Sequence, residues 1–250
     1  MSVVRVEWPG EIVGHRGAAG LAPENTLLSF ETAIAAGCDR VEFDVRVTRD
    51  GVVVFHDARL DRFLPPGSPG AGRPLSQLPT ALVTQVDVGA SFGKPGWLVP
   101  TYDQVLEAMA GRVRLNVESK GSGREGLLTV EACRKGLRDH GLVEGTVLSC
   151  FHEPVLAHAW QSDPGIERAF IADARTLGDP VAIATRLKAA ALHASMDIAD
   201  EHLLERCRKA GLALRVWTVN EPASMRRFVE LAVDGIVSDH PDRLRQVAGR

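Results

Sequence analysis

Glu42 and Asp44 stand two apart in the run Val41-Glu42-Phe43-Asp44-Val45. On an extended strand that spacing puts both carboxylates on one face and leaves an apolar face opposite. Two carboxylates held so close repel unless a cation lies between them or one takes a proton. Glu118 supplies a third hard oxygen ligand, and such a trio suits Mg²⁺ or Ca²⁺, with water or a phosphate oxygen filling the remaining positions. His15 and His56 bracket the carboxylate pair in sequence. Imidazole titrates near neutral pH, so the two are candidates for proton transfer. One would activate an attacking oxygen while the other protonates a departing alkoxide. Arg16 offers a planar fork to phosphate oxygens, and Lys120, on the same face as Glu118, adds a point charge. A plainer reading makes Arg16 and Lys120 salt-bridge partners of those same carboxylates. Together the residue types fit cleavage of a phosphodiester.

Such groups need a frame to bring them together. Short β-branched runs alternate with longer helical patterns, which argues for a parallel sheet with crossover helices. The strands are expected over 11–14, 41–45, 52–55, 113–118, 146–149, 168–171, 191–193, 212–217 and 235–237. The helices are expected over 24–36, 102–110, 125–140, 154–161, 180–189, 201–210, 222–231 and 241–247. Nine strands exceed a closed eightfold barrel by one. The Asp50-Gly51 turn signal accounts for the extra one as the returning arm of a hairpin. With residue 50 at the turn centre, Asp44 would face His56. Eight strand–helix units remain, an α/β fold of the TIM (β/α)8 type, with the hairpin and the Pro- and Gly-rich segment 57–100 inserted after the second strand. That segment exceeds an ordinary connection and is a candidate cap over the C-terminal face. The charged residues fall at strand ends, where barrels of this kind place their chemistry.

Length and charge set bounds. At 250 residues the chain matches one such barrel, so a single domain over 1–250 is expected. A net charge of −3 provides no general attraction to nucleic acid or to an anionic membrane. No apolar run reaches membrane-spanning length, and the first nine residues lack a leader pattern. Cys38, Cys133, Cys150 and Cys207 show no paired spacing and read as small core residues, which suits a cytoplasmic setting. His140, His158 and His202 are expected on solvent-facing helix positions, His152 at a helix start and His240 at a cap before Pro241. His193 could line the pocket without a direct catalytic role. Arg215 is expected to point into the barrel and to pair with a site carboxylate.

The run His15-Arg16-Gly17, Pro23-Glu24-Asn25-Thr26, Glu42-Phe43-Asp44-Val45, Asp50-Gly51, His56-Asp57 and Leu60-Asp61-Arg62 resembles the glycerophosphodiester phosphodiesterases. The likeness continues through Asn116-Val117-Glu118-Ser119-Lys120, Trp217-Thr218-Val219-Asn220 and Asp234-Gly235-Ile236-Val237-Ser238-Asp239-His240-Pro241. It implies a TIM barrel with a small insertion after the second strand. It also implies a divalent cation on Glu42, Asp44 and Glu118, His15 and His56 as acid and base, phosphate held by Arg16 and Lys120, and Trp217 beside the glycerol. The expected reaction hydrolyses a small-molecule glycerophosphodiester to an alcohol and glycerol 3-phosphate. Either water or the neighbouring glycerol hydroxyl could attack. Ser119, Tyr102 and Ser238 depart from the usual residues and bear on substrate choice. The rival readings are a lysophospholipase D-type diesterase on the same barrel and a catalytically silent barrel that binds a phosphate ligand. The former would be favoured by apolar residues around the mouth.

Overall fold

The computed structural model describes residues 8–250. Residues 1–7, most of the stretch read above for a leader, lie outside it. Nine strands form one sheet: β1 (Glu11–Gly14), β2 (Arg40–Val47), β3 (Val52–Val54), β4 (Arg114–Ser119), β5 (Val147–Cys150), β6 (Glu167–Ala172), β7 (Ala191–Ser195), β8 (Ala213–Trp217) and β9 (Gly235–Ser238). Their order is β1-β9-β8-β7-β6-β5-β4-β2-β3, and a parallel β1–β2 pairing closes the ring. Eight parallel strands thus make a TIM barrel, and β3 lies outside the count as an antiparallel arm on β2. The helices are α1 (Leu27–Ala35), α2 (Thr80–Val83), α3 (Tyr102–Met109), α4 (Gly123–Asp139), α5 (Glu153–Ser162), α6 (Pro180–Arg186), α7 (Glu201–Ala210), α8 (Pro222–Glu230) and α9 (Pro241–Val247). None of them is long and apolar enough to cross a membrane.

Local chemistry sets these boundaries. The Thr26, Asp179 and Asp200 side chains each accept a backbone N–H in the first turn of their helices, and Thr101 forms a reciprocal cap with Gln104. Pro180, Pro222 and Pro241 open three helices at the position where a missing N–H costs nothing. Period-two alternation then sorts each strand. Val41, Phe43 and Val45 are fully buried against the helical layer, where Phe30, Phe43 and Tyr102 pack with ring centroids 5.6 and 6.3 Å apart. The alternate residues Arg40, Glu42 and Asp44 therefore face the barrel axis. Burying a side chain such as Phe43 stabilises by about 1.5–3 kcal/mol, so the apolar face holds the acidic one inward.

Two expectations change here. The hairpin pairs Val45 with Val54 and Val47 with Val52, one residue away from the expected register. The reason is the turn: Thr48 N donates to Gly51 O and Gly51 N to Thr48 Oγ1, which makes Arg49-Asp50 its centre. Asp50 is drawn instead to Thr80, accepting from its N and Oγ1 at 2.8 Å. A one-residue shift exchanges faces, so Phe55 rather than His56 lies across from Asp44, its N–H donating to Asp44 O at 2.9 Å. Arg215 does point into the barrel, but at the end away from the candidate site. Its Nε donates to Glu11 Oε2 at 2.7 Å, and Glu11 also pairs with Arg40 and Arg114. Burial opposes ionisation of Glu11, yet the hydrogen bonds and charges of Arg40 and Arg215 outweigh it and hold the carboxyl at about 2. This cluster plugs the bottom of the barrel.

The segment 57–100 shares a small core with the hairpin arm. Val53, Phe55, Leu60, Leu75, Leu78, Val83, Val86, Val88 and Val99 pack together apart from the main core.

Candidate active site

The β1–α1 loop is shaped by Gly17. At φ +88° it takes a left-handed conformation, and a Cβ there would lie 2.4 Å from Ser29 Oγ. Arg16 (φ +48°) and Asn25 (φ +56°) share that uncommon region, and both are fixed by the carboxylates. Arg16 N donates to Glu42 Oε2 at 2.8 Å. Asn25 Nδ2 donates to Asp44 Oδ2 at 2.8 Å and Asn25 Oδ1 accepts from Asp44 N at 3.2 Å. Strained backbone concentrates where surrounding contacts over-determine it.

Glu42, Asp44 and Glu118 come together as expected, with ligand oxygens all within 4.8 Å of one another. Register explains this: Asp44 and Glu118 are direct partners across β2 and β4. The two cations lie among them. Lys120 Nζ is 3.0 Å from Asp44 Oδ1 and 2.5 Å from Glu118 Oε1, and Arg16 Nε is 3.3 Å from Asp44 Oδ2. The plainer ion-pair reading of Arg16 and Lys120 is therefore part of the geometry. Arg16 also donates to Glu24 Oε1 at 3.0 Å. Burial opposes ionisation of Asp44, but the charges of Lys120 and Arg16 drive its pKa far below the usual carboxylate range. Glu42 is less fortunate: burial first, and the charge of Asp44 next, push its carboxyl up to about 8. Its Oε1 is buried without a hydrogen-bond partner. Three carboxylates outnumber two cations by one. A dication would turn that deficit into a single positive excess and give Glu42 Oε1 a partner, so the donor set fits a hard divalent cation.

His15 and His56 both line the same cavity of ≈ 240 Å³, with Arg16, Glu42, Asn116, Glu118, Lys120, Phe151, His193 and Trp217 among its walls. Each imidazole presents its Nδ1 to a carboxylate, Asp239 at 2.6 Å for His15 and Asp57 at 2.7 Å for His56. A carboxylate can only accept, so Nδ1 carries the proton and Nε2 remains for chemistry. Their electrostatic settings differ. Burial disfavours the charged form of His15, but the Asp239 bond and the charge of Glu42 prevail and raise its pKa. For His56 burial prevails, helped by the positive charges of Lys120 and Arg16 against that of Asp44, and its pKa falls. Trp217 stands edge-on to Phe151 at 5.6 Å, its Nε1 donating to His193 O.

Asp57, Asp239 and Asn220 carry no role in the residue pattern alone, yet the structure sets them around the two imidazoles. Asp239 lies 224 residues from His15 and reaches it only because β1 and β9 are neighbours. Its segment reads as a helix cap, yet His240 occupies the cap position without a side-chain bond and Asp239 turns to His15 instead. Asp57 was adjacent to His56 throughout, and a His-Asp dipeptide leaving a strand was the available signal.

The chain matches the model of the glycerophosphoryl diester phosphodiesterase family over residues 15–243. It belongs to that family. A glycerophosphodiester phosphodiesterase from Caldanaerobacter subterraneus subsp. tengcongensis is 30% identical, with 93% of this chain and 95% of that protein covered. Among family structures, a glycerophosphoryl diester phosphodiesterase from Silicibacter pomeroyi superposes with a TM-score of 0.87 at 26% identity, covering 96% of this chain and 92% of that one. An Oleispira antarctica phosphodiesterase, solved in complex with the product sn-glycerol-3-phosphate, gives 0.86 at 26% identity over 95% and 96% of the two chains.

Proposed function

We propose that this family member hydrolyses glycerophosphodiesters to an alcohol and glycerol 3-phosphate. The observation that carries the reading is one cavity holding a three-carboxylate cluster between two aspartate-oriented imidazoles. The product-bound Oleispira relative supports it.

Glu42, Asp44 and Glu118 would hold a divalent cation, Mg²⁺ or Ca²⁺, which when bound neutralises phosphate charge and polarises the phosphoryl group. Arg16 and Lys120, no longer needed as sole counter-charges, grip the non-bridging phosphate oxygens. His56, kept neutral at Nε2, takes the proton of the attacking oxygen. His15, kept protonated by Asp239 and Glu42, gives its proton to the departing alkoxide. Trp217 closes the side of the pocket beside the substrate. The segment 57–100 buttresses the site through Arg62, which donates to Asp57 Oδ2 and to Glu24. The residues lining the cavity come from the barrel and from His56, none from 57–100. All four cysteines are unpaired, which suits a reducing cytoplasm.

A silent phosphate-binding barrel would not need two oriented imidazoles. The lysophospholipase D-type reading keeps one support: Leu177 is 91% exposed, beside a groove formed with Phe151, Pro154 and Phe170 that joins the cavity at Phe151. Incubation with glycerophosphocholine, glycerophosphoethanolamine and lysophosphatidylcholine in Mg²⁺ or Ca²⁺ tests both. Release of glycerol 3-phosphate, lost with excess chelator and restored by metal, is the expected result. Turnover confined to the lysolipid selects the second reading.

A further inference from the structure

Besides the three carboxylates and their two cations, the cavity presents other buried polar groups. Asn116 and His193, each 2% exposed, line it. Asn116 Oδ1 and His193 Nε2 are buried without a hydrogen-bond partner. Asn116 stands two residues before Glu118 on β4 and directly beside Glu42 on β2, and His193 stands two residues before Ser195 at the end of β7, so both side chains face the barrel axis. The Glu11–Arg40–Arg114–Arg215 cluster closes the barrel nearby, and its arginines engage both Glu11 oxygens. Burial, with Arg215 and Arg40 nearby, holds the His193 pKa well below its ordinary value, so the ring is neutral and offers one donor and one acceptor. Ile171 and Val237 add apolar surface to the same cavity.

Resting on the function proposed above, we infer that Asn116 and His193 form a hydroxyl-reading floor that receives the polyol arm of the diester, pointed down the barrel axis. Each sugar-alcohol hydroxyl both donates and accepts, which matches these groups, whereas an apolar arm would leave two buried polar side chains unpaired. A site built to bond hydroxyls rejects an analogue lacking them far more strongly than an apolar pocket rejects an added one. The other arm then leaves past Phe151 and Arg175, through the groove toward Leu177, whose walls mix Pro154 and Phe170 with Glu153, Asp173 and Thr176. The floor itself selects on the polyol side.

The test compares the wild-type protein with H193L and H193Q, each loaded with Mg²⁺ or Ca²⁺, on glycerophosphocholine and on bis(4-nitrophenyl) phosphate, which has no polyol. The floor predicts that H193L loses at least about tenfold in kcat/KM on glycerophosphocholine, keeps its rate on the aryl diester within about twofold, and that H193Q retains part of the preference. Calorimetry supplies a readout that needs no turnover: H193L should weaken glycerol 3-phosphate binding and leave inorganic phosphate binding unchanged. Equal losses on both diesters, or equal weakening of both ligands, would overturn the floor. A wild-type protein that binds glycerol 3-phosphate through His193 yet cleaves neither diester would overturn the catalytic reading and leave the floor standing.

Discussion

The two imidazoles stand on unlike supports. His15 extends a barrel strand, its N–H bonded to Ser238 O on β9. Its partner Asp239 is pinned by Asn220, which donates from Nδ2 at 2.6 Å and accepts the Asp239 N–H at 2.9 Å. His56 leaves the hairpin arm instead, and Asp57 is steadied by Arg62, a residue 44% exposed. The His15 side chain is 19% exposed and that of His56 34%. The proposed proton donor is thus built into the closed sheet and the proposed base is mounted on the rim. Glu24 ties the two together, because it accepts from both Arg16 and Arg62.

Removing either imidazole is the severest test of the comparison. H15A and H56A should each lower kcat on glycerophosphocholine by about 10²–10⁴-fold, and near-normal turnover in either would end the assignment. The partners come next. D239N and D57N should cost roughly 10- to 100-fold through lost orientation, but stability should separate them. D239A leaves buried donors unpaired and should lower the melting temperature by several degrees, at about 1–3 kcal/mol for the lost bonds. D57A, among exposed charges, should shift it by less than about 2 °C. If the two melt alike, the contrast between sheet and rim is wrong. The opposite pKa directions predict a bell-shaped kcat/KM profile, its acid limb below about 6.5 from His56 and its alkaline limb above from His15. An exchange of limbs between H15Q and H56Q would reverse the roles. R62A should cost turnover about three- to tenfold, partly recovered in R62K or with added guanidinium. E11Q should change turnover least and stability clearly. The folded carboxyl sits at about 2 against an ordinary 4.5, so the stabilisation is complete above 4.5 and is lost as pH falls toward 2. Denaturation midpoints of E11Q and wild type should therefore converge over that window.

Much of this was legible in the residues. Strand periodicity located the nine strands, and their polar ends pointed to the residues that gather in one cavity, because in a parallel barrel alternation decides which side chains face the axis. What escaped was whatever depended on partners distant in sequence. The hairpin register follows from the Thr48–Gly51 turn bonds, while Asp50 is taken by Thr80, a contact 30 residues away. Arg215 found Glu11 across 204 residues rather than a site carboxylate, since depth within the barrel follows from sheet stagger, which no single strand reveals. His193 was placed at the pocket by its strand end, but its lack of a bonding partner is a property of the closed interior alone.

β2 runs on to Val47 although β1 stops opposite its first two residues. That overhang leaves one edge of a central strand free, and β3 occupies it without entering the ring. It works as a socket. A shorter or bulkier module could plug into the same edge while the eight-strand closure stayed intact. Evolutionary tinkering at this one joint can thus re-dress the entrance of the enzyme and reposition His56 without recasting the wall that carries the carboxylate cluster.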